Sequence, residues 1–273
     1  MDAQPLAELA APAAVFERML SLAAVEPPGS DEPYYDEMLL QIDESSLRTP
    51  AGSVDAPLSA YCTAEADLLD AVDGVEGGPV TAVFDIVELR DWMAWVDDGG
   101  EGVSVRVDGD PETSEASALV VRSGAATARV DCVRDSGLLA DVPRELPGRF
   151  TADERFRLAD GTPAPTVVET DADQLRRIAS GVRTAGTATF PFVVADGALR
   201  FELEEGGRAR ASAELAGEVS GPDVHNEYGG ALGRVADVLT GPVTLQTGPD
   251  APLAVVSRHS GFTLRYVLSR VES

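Results

Sequence analysis

One order of helix-like and strand-like segments occurs twice along this chain, and the repetition constrains the fold more than any other feature of its sequence. In the first half, Val15, Met19 and Leu22 recur at helical spacing over residues 12–24, with Phe16 and Leu20 beside them. Strand-like MLLQIDESSL follows. A second helical segment over 88–96 precedes GVSVRVDGD, where Val103, Val105 and Val107 alternate onto one strand face. The second half has a helical segment over 172–184, then FPFVVADGALRFELE, a helical segment over 226–239, and GPVTLQTG. Leu47-Arg48 aligns with Leu199-Arg200 at an offset of 152, and Val103-Ser104-Val105 with Val243-Thr244-Leu245 at an offset of 140. Offsets this close point to a duplicated helix-and-strand unit, and a chain of 273 residues is long enough for two such domains.

The expected class is α+β with two similar domains. Residues 1–11 read as an N-terminal extension, 12–133 as the first domain and 149–273 as the second. Between them RDSGLLADVPRELPG, residues 134–148, has two prolines, two glycines and no period, which marks a connecting loop. The residues after it, RFTADERFRLADGTPAPTVVETD, are also polar and rich in turn formers.

Charge bounds the environment. The 47 acidic residues face 21 basic ones, all of them arginine, for a formal charge of −26. Exposed like charges at that density destabilise a compact state unless salt screens them, and at molar salt the Debye length falls to about 3 Å. Apolar runs such as GPVTAVFDIVELRDWMAWV argue against acidic disorder. The composition therefore reads as a folded protein of a salt-loving cell. No basic n-region opens the chain and no run approaches the length of a membrane span, so a cytoplasmic protein is expected. Cys62 and Cys132 lie far apart without a C-x-x-C, and read as buried free thiols.

Several chemistries are excluded. His225 and His259 sit in no spacing that suggests a metal site or a triad. The glycine-rich VDGVEGGP and DDGGEG lack the P-loop pattern, and the chain has no lysine to complete one. Carboxylates such as Asp97-Asp98 and Glu204-Glu205 are too abundant for one pair to mark an acid/base couple. No catalytic residue, metal or cofactor is expected.

The closing stretch, GPVTLQTGPDAPLAVVSRHSGFTLRYVLSRVES, resembles the final hairpins of the PCNA-type DNA sliding clamps. Asp250, Pro252 and Leu253 match that family's acidic turn, Tyr266 and Leu268 its aromatic strand, and Arg270, Val271 and Glu272 its short tail. Ser269 stands where the family usually has proline. Upstream, FDIVELRDWMAWVDDGGEGVSVRV is similar to the second helix of the first clamp domain with its following strand. RVDCVRDSGLLADVPRELP is similar to the last strand of that domain entering the connecting loop. Departures are the N-terminal extension, an irregular stretch from Tyr34 to Asp55, and extra polar sequence from Arg149 to Pro165, all expected to alter loops rather than the fold.

The resemblance implies a non-enzymatic processivity factor: a ring of three identical subunits around duplex DNA, with helices lining the hole and sheets outside. It implies that Arg18, Arg90, Arg176, Arg177, Arg183 and Arg234, in the four helical windows, face DNA, with Arg176 and Arg177 the strongest candidates. Those windows balance six arginines against Glu17, Glu88, Asp91, Asp173, Glu227 and Asp237, so the rest of the chain carries the whole of the −26. It further implies a groove for short peptides of the clamp loader, polymerases, ligases and nucleases. Its matching positions are Leu47, Leu138, Leu139, Val142, Pro143, Pro252, Leu253, Ser269, Arg270 and Val271. Strand-like residues 116–121 and 208–216 fall where the family pairs edges between subunits. The lining and the tail leave a second form open, a non-ring clamp paralogue or viral decoy that binds replication partners without encircling DNA. Chromosomal, plasmid and viral origins are equally open.

Overall fold

The structure, a computed structural model, describes residues 4–26, 35–52, 57–75, 78–97, 102–134, 136, 146–186, 189–205 and 208–271. The first half runs β1 (Gln4–Ala11), α1 (Ala13–Ala23), β2 (Glu37–Asp43), β3 (Ser46–Ala51), β4 (Leu58–Glu65), β5 (Ala71–Asp73), β6 (Val80–Asp85), α2 (Ile86–Val96), β7 (Val103–Asp110), β8 (Glu115–Ser123) and β9 (Ala126–Asp131). The second half repeats that order element for element: β10 (Thr166–Asp171), α3 (Ala172–Ala185), β11 (Thr189–Ala195), β12 (Ala198–Glu205), β13 (Arg208–Leu215), β14 (Glu218–Ser220), β15 (Val224–Gly229), α4 (Ala231–Val238), β16 (Pro242–Thr247), β17 (Leu253–His259) and β18 (Phe262–Leu268). The mixed α+β class and the two similar units agree with the reading of the sequence.

All strand pairings are antiparallel among the described residues, in three sheets. One has the order β5-β1-β7-β8-β9, one β13-β12-β11-β15, and the third has nine strands, β14-β10-β16-β17-β18-β4-β3-β2-β6. The nine-stranded sheet is the five-stranded sheet of the second half joined to the four-stranded sheet of the first. The seam is β18 against β4, from Phe262 opposite Ala64 to Leu268 opposite Leu58. Tyr266 on β18 donates to the Leu22 carbonyl near the end of α1, 2.8 Å away, so a first-half helix packs under a second-half strand. One apolar core runs through both halves.

Local chemistry sets the boundaries. Asp85 caps α2 by accepting from the Glu88 N–H at 2.8 Å, and Asp171 caps α3 by accepting from the Asp173 N–H at 2.9 Å. Gly186 ends α3 in the left-handed region at φ 69°, where a Cβ would be strained. Asp196 and Gly197, at φ 54° and 76°, make the tight turn between β11 and β12.

Four expectations need correction. Residues 4–11, read as an extension, form β1 in the middle of the first-half sheet between β5 and β7, with Leu6, Ala7, Leu9 and Ala11 buried. The stretch 34–55, read as irregular, holds the β2–β3 hairpin. Pro50 is tolerated there because the β2 ladder passes from Arg48 to Ala51 without pairing Thr49 or Pro50. The window 226–239 begins in β15, and the helix starts only after Gly229-Gly230. Residues 116–121 lie in β8, paired on both sides by β7 and β9, so β9 is the open edge instead. Residues 208–216 do fall on an edge strand, β13.

Candidate functional site

The four helices carry the six arginines of interest against Glu17, Glu88, Asp91, Asp173 and Asp237, since Glu227 belongs to β15. Their surroundings differ. Arg18 reaches from α1 to the Val238 carbonyl at the end of α4, 3.3 Å away. Arg176 donates to the Leu239 carbonyl at 2.6 Å and also pairs with Asp173. A helix C-terminus presents unpaired carbonyls and partial negative charge, so both guanidiniums are held there. Arg183 pairs with Asp237 at 3.1 Å, and Arg90 lies 3.9 Å from Glu26. Arg234 is half-buried on α4. Arg177 is exposed and makes no hydrogen bond or ion pair among the described residues. Of the two strongest candidates, Arg176 is committed within the chain while Arg177 is available to a ligand.

On α2 the exposed face carries Trp92 and Trp95, 39% and 61% accessible, edge to face with ring centroids 5.7 Å apart. Sequence reasoning passed over them. The signal was there: the buried stripe is Leu89, Met93 and Val96, and two tryptophans three residues apart stand beside it.

The matching positions of the peptide groove fall in three groups. Leu138, Leu139, Val142 and Pro143 lie outside the described residues. Leu47 and Leu253 are fully buried in the core, where their side chains pack the sheet and offer no surface. Pro252, Ser269, Arg270 and Val271 form the accessible part. The tail is held by backbone bonds: the Ser269 N–H donates to the Pro57 carbonyl at 3.1 Å and the Val271 N–H to the Glu227 carbonyl at 2.9 Å. Arg270 bridges to Tyr228 through the backbone and pairs with Asp250 at 2.8 Å. Proline at 269 has no N–H, so serine here supplies a tether that proline could not.

Below the tail, Tyr228 is fully buried and its hydroxyl donates to the Ala251 carbonyl at 3.0 Å, with Thr247 Oγ1 2.7 Å away. Asn226 Nδ2 donates to the Gly248 carbonyl at 2.9 Å, and Asn226 Oδ1 accepts from the Asp250 N–H at 3.2 Å. Burial pushes the Tyr228 phenol up to about 12, against the hydrogen bonds from Thr247 and Asn226. This network fixes the turn that leads into β17.

Residues 149–165 are not a loose insertion. Phe150 bridges to Phe156 and Arg157 to Pro163, and Phe156 and Ala164 bury against Ala254 in a second small core. Glu154, at φ 64°, receives Arg265 at 2.5 and 2.6 Å and Arg258 at 3.0 Å. Gln246 closes the contact, donating to the Glu154 carbonyl and accepting from the Phe156 N–H. The segment is a strap across β16, β17 and β18.

Among the described residues no group of histidine, cysteine and carboxylate side chains is arranged to hold a metal ion, and no helix is long and apolar enough to cross a membrane. No protein-family model matches the chain, and no curated protein matches its sequence. Solved structures do. The proliferating cellular nuclear antigen of Entamoeba histolytica superposes with a TM-score of 0.70 at 11% identity, covering 98% of this chain and 100% of that one. PCNA of A. fulgidus, solved with the C-terminal region of FEN-1 bound, gives 0.71 at 13% identity over 98% of this chain and 99% of its own. PCNA of Thermococcus kodakaraensis gives 0.71 at 13% identity over 97% and 100%. Two like units, a shared nine-stranded sheet and helices packed beneath it thus make up, over almost the whole chain, the fold of the PCNA-type sliding clamps.

Proposed function

We propose that this chain is the subunit of a DNA sliding clamp, a non-enzymatic ring that encircles duplex DNA and tethers replication and repair proteins. The observation that carries the reading is the pattern of closed and open sheet edges. Inside the chain, β18 of the second half pairs with β4 of the first. The equivalent strands at the two ends, β9 and β13, are left as sheet edges among the described residues. A molecule with two unlike complementary ends assembles head to tail, and closes into a ring when the rotation allows. In the clamp fold that ring is a homotrimer of six units.

The helices would then face DNA with near-balanced charge inside a strongly acidic shell. In high salt, arginine–phosphate contacts weaken steeply because counterion release loses its driving force. A closed ring holds DNA by topology and needs little contact affinity. Arg176, already held by the Leu239 carbonyl and Asp173, offers a passing phosphate less than its place in the sequence implies. Partner peptides with hydrophobic and aromatic anchors would seat beside the tail, at Pro252, Ser269, Arg270 and Val271, against the connecting loop with Leu138, Leu139, Val142 and Pro143.

Light scattering in multimolar KCl tests the assembly: a mass three times 28.6 kDa is expected, and a monomer at micromolar concentration would sink the ring and favour the non-ring alternative. Topological binding is tested on nicked circular DNA, where the loaded protein should be retained and then released on linearisation. Lowering the salt should lower the unfolding midpoint, because a charge of −26 is then unscreened. Removal of residues 270–273 should weaken binding of a synthetic anchor peptide while the chain stays folded; unchanged affinity would remove the tail from the groove.

A further inference from the structure

The seam inside the chain specifies what its open ends require. Under the β18–β4 seam, Arg18 of α1 meets the Val238 carbonyl at the C-terminus of α4. Buried Phe16, Met19, Leu20 and Ala23 of α1 recur with the same spacing as Leu175, Ile178, Ala179 and Val182 of α3. That register sets Arg177 where Arg18 stands and Gly181 where Leu22 stands. Buried Leu89, Met93 and Val96 of α2 recur as Leu232, Ala236 and Leu239, which sets Trp92 and Trp95 where Val235 and Val238 stand. At the seam Val235 is fully buried and the Val238 carbonyl is occupied by Arg18, whereas the two tryptophans are exposed.

The substitutions are complementary. One end, α2 packed on β9, replaces valines by tryptophans. The other, α3 packed against β13, replaces leucine by glycine. A glycine in the interior of a helix costs about 1 kcal/mol relative to alanine, so it calls for a packing reason.

We propose that Trp92 and Trp95 anchor one chain to a second copy of itself by filling the space over Gly181 of that copy, whose Arg177 caps α2 at the Trp95 carbonyl. The inference rests on the ring reading and names the contact that closes it. Carrying the seam register across pairs β9 with β13 so that Ala126 faces Ala213 and Ala128 faces Ala211. Buried tryptophans of this kind dominate interface energetics, and an arginine beside their faces adds a cation–π contribution.

The chain has only two tryptophans, so its intrinsic fluorescence reports this helix alone. In multimolar KCl, emission should be blue-shifted and shielded from a soluble quencher at concentrations where light scattering shows the trimer, and should move to the red as dilution releases monomers. Identical spectra for trimer and monomer would overturn the inference and leave the ring reading standing. A protein monomeric throughout would overturn both. Trp92→Ala with Trp95→Ala, or Gly181→Leu alone, should raise the dissociation constant on the order of tenfold or more. Combining Gly181→Leu with Trp92→Val and Trp95→Val rebuilds the seam chemistry and should restore association; wild-type affinity in Gly181→Leu would also overturn the proposal.

Discussion

The two halves of this chain share one frame and fill it with different chemistry. Strand registers place Phe84 of β6 where Tyr228 of β15 stands, and Ala82 where Asn226 stands. Both rings are fully buried. In the first half the position ends in hydrocarbon, while in the second a hydroxyl and an amide reach the turn before β17 and hold it under the tail. The helices that follow diverge as well: α2 exposes two tryptophans, while α4 buries Val235 and has its Val238 carbonyl held by Arg18 of the other half. A duplicated unit can thus be joined to its twin on one side and left ready for another molecule on the other, with the order of elements kept and the side chains at the seam changed.

The largest effect is expected from breaking the inner seam. Tyr266→Ala removes a fully buried ring and its bond to Leu22, and should cost about 3–5 kcal/mol of stability in denaturant titrations at fixed high salt. Trp95→Ala should leave the stability of the monomer almost unchanged. If both variants destabilise the monomer equally, the distinction between seam and open end fails.

The strap, which has no counterpart among the described residues of the first half, comes next. Glu154 and Arg265 are 14% and 11% exposed, so Glu154→Ala strands a shielded guanidinium and should cost about 3 kcal/mol. A loss under about 1 kcal/mol would mean the strap only decorates the sheet.

Tyr228→Phe makes the second half resemble the first, and should cost about 1–2 kcal/mol by leaving Asn226 and Thr247 short of a partner. It should also change the alkaline limb of stability. The phenol is raised from 10.0 to about 12 by burial, so its contribution is complete below pH 10 and lost as pH rises towards 12. Cys62, raised to about 12, and Cys132, to about 11, both by burial, start the same loss from about pH 9. The variant should therefore keep the early part of the decline and fall less steeply between pH 10 and 12, where Cys62 and the Tyr266 phenol, also raised by burial, still contribute. The smallest change is expected from Ser269→Pro, which deletes one tail tether at about 1 kcal/mol or less while bringing the tail closer to the clamp pattern.

Legibility followed signal strength. The helices at 13–23, 86–96 and 172–185 were readable because their apolar stripes are periodic and two carry an aspartate cap. Strand β7 was readable from the alternation of Val103, Val105 and Val107, all buried. Strand β1 was not, because QPLAELAA is rich in alanine, which has weak strand preference, and its place depends on β5 and β7 on either side. The strap was equally hidden, since Glu154 and Gln246 mean nothing together until the chain brings 92 residues of separation to a hydrogen bond of 2.7 Å.

For the candidate site the division is sharper. Which residues are arginine, and that the helices carry them in near balance with acids, is a property of the sequence. Which arginine remains available is not, because Arg176 and Arg177 are neighbours in the chain and differ in what α4 and Asp173 place beside them. By itself the sequence determined a duplicated α+β chain, strongly acidic, with no motif for catalysis or metal binding, because periodicity and composition act locally and can be read in order. Tertiary structure alone decided that β18 joins β4, that β9 and β13 are edges, and that Trp92 and Trp95 stand uncovered. Those facts depend on contacts between residues far apart in the chain, and only packing, not local preference, selects among them.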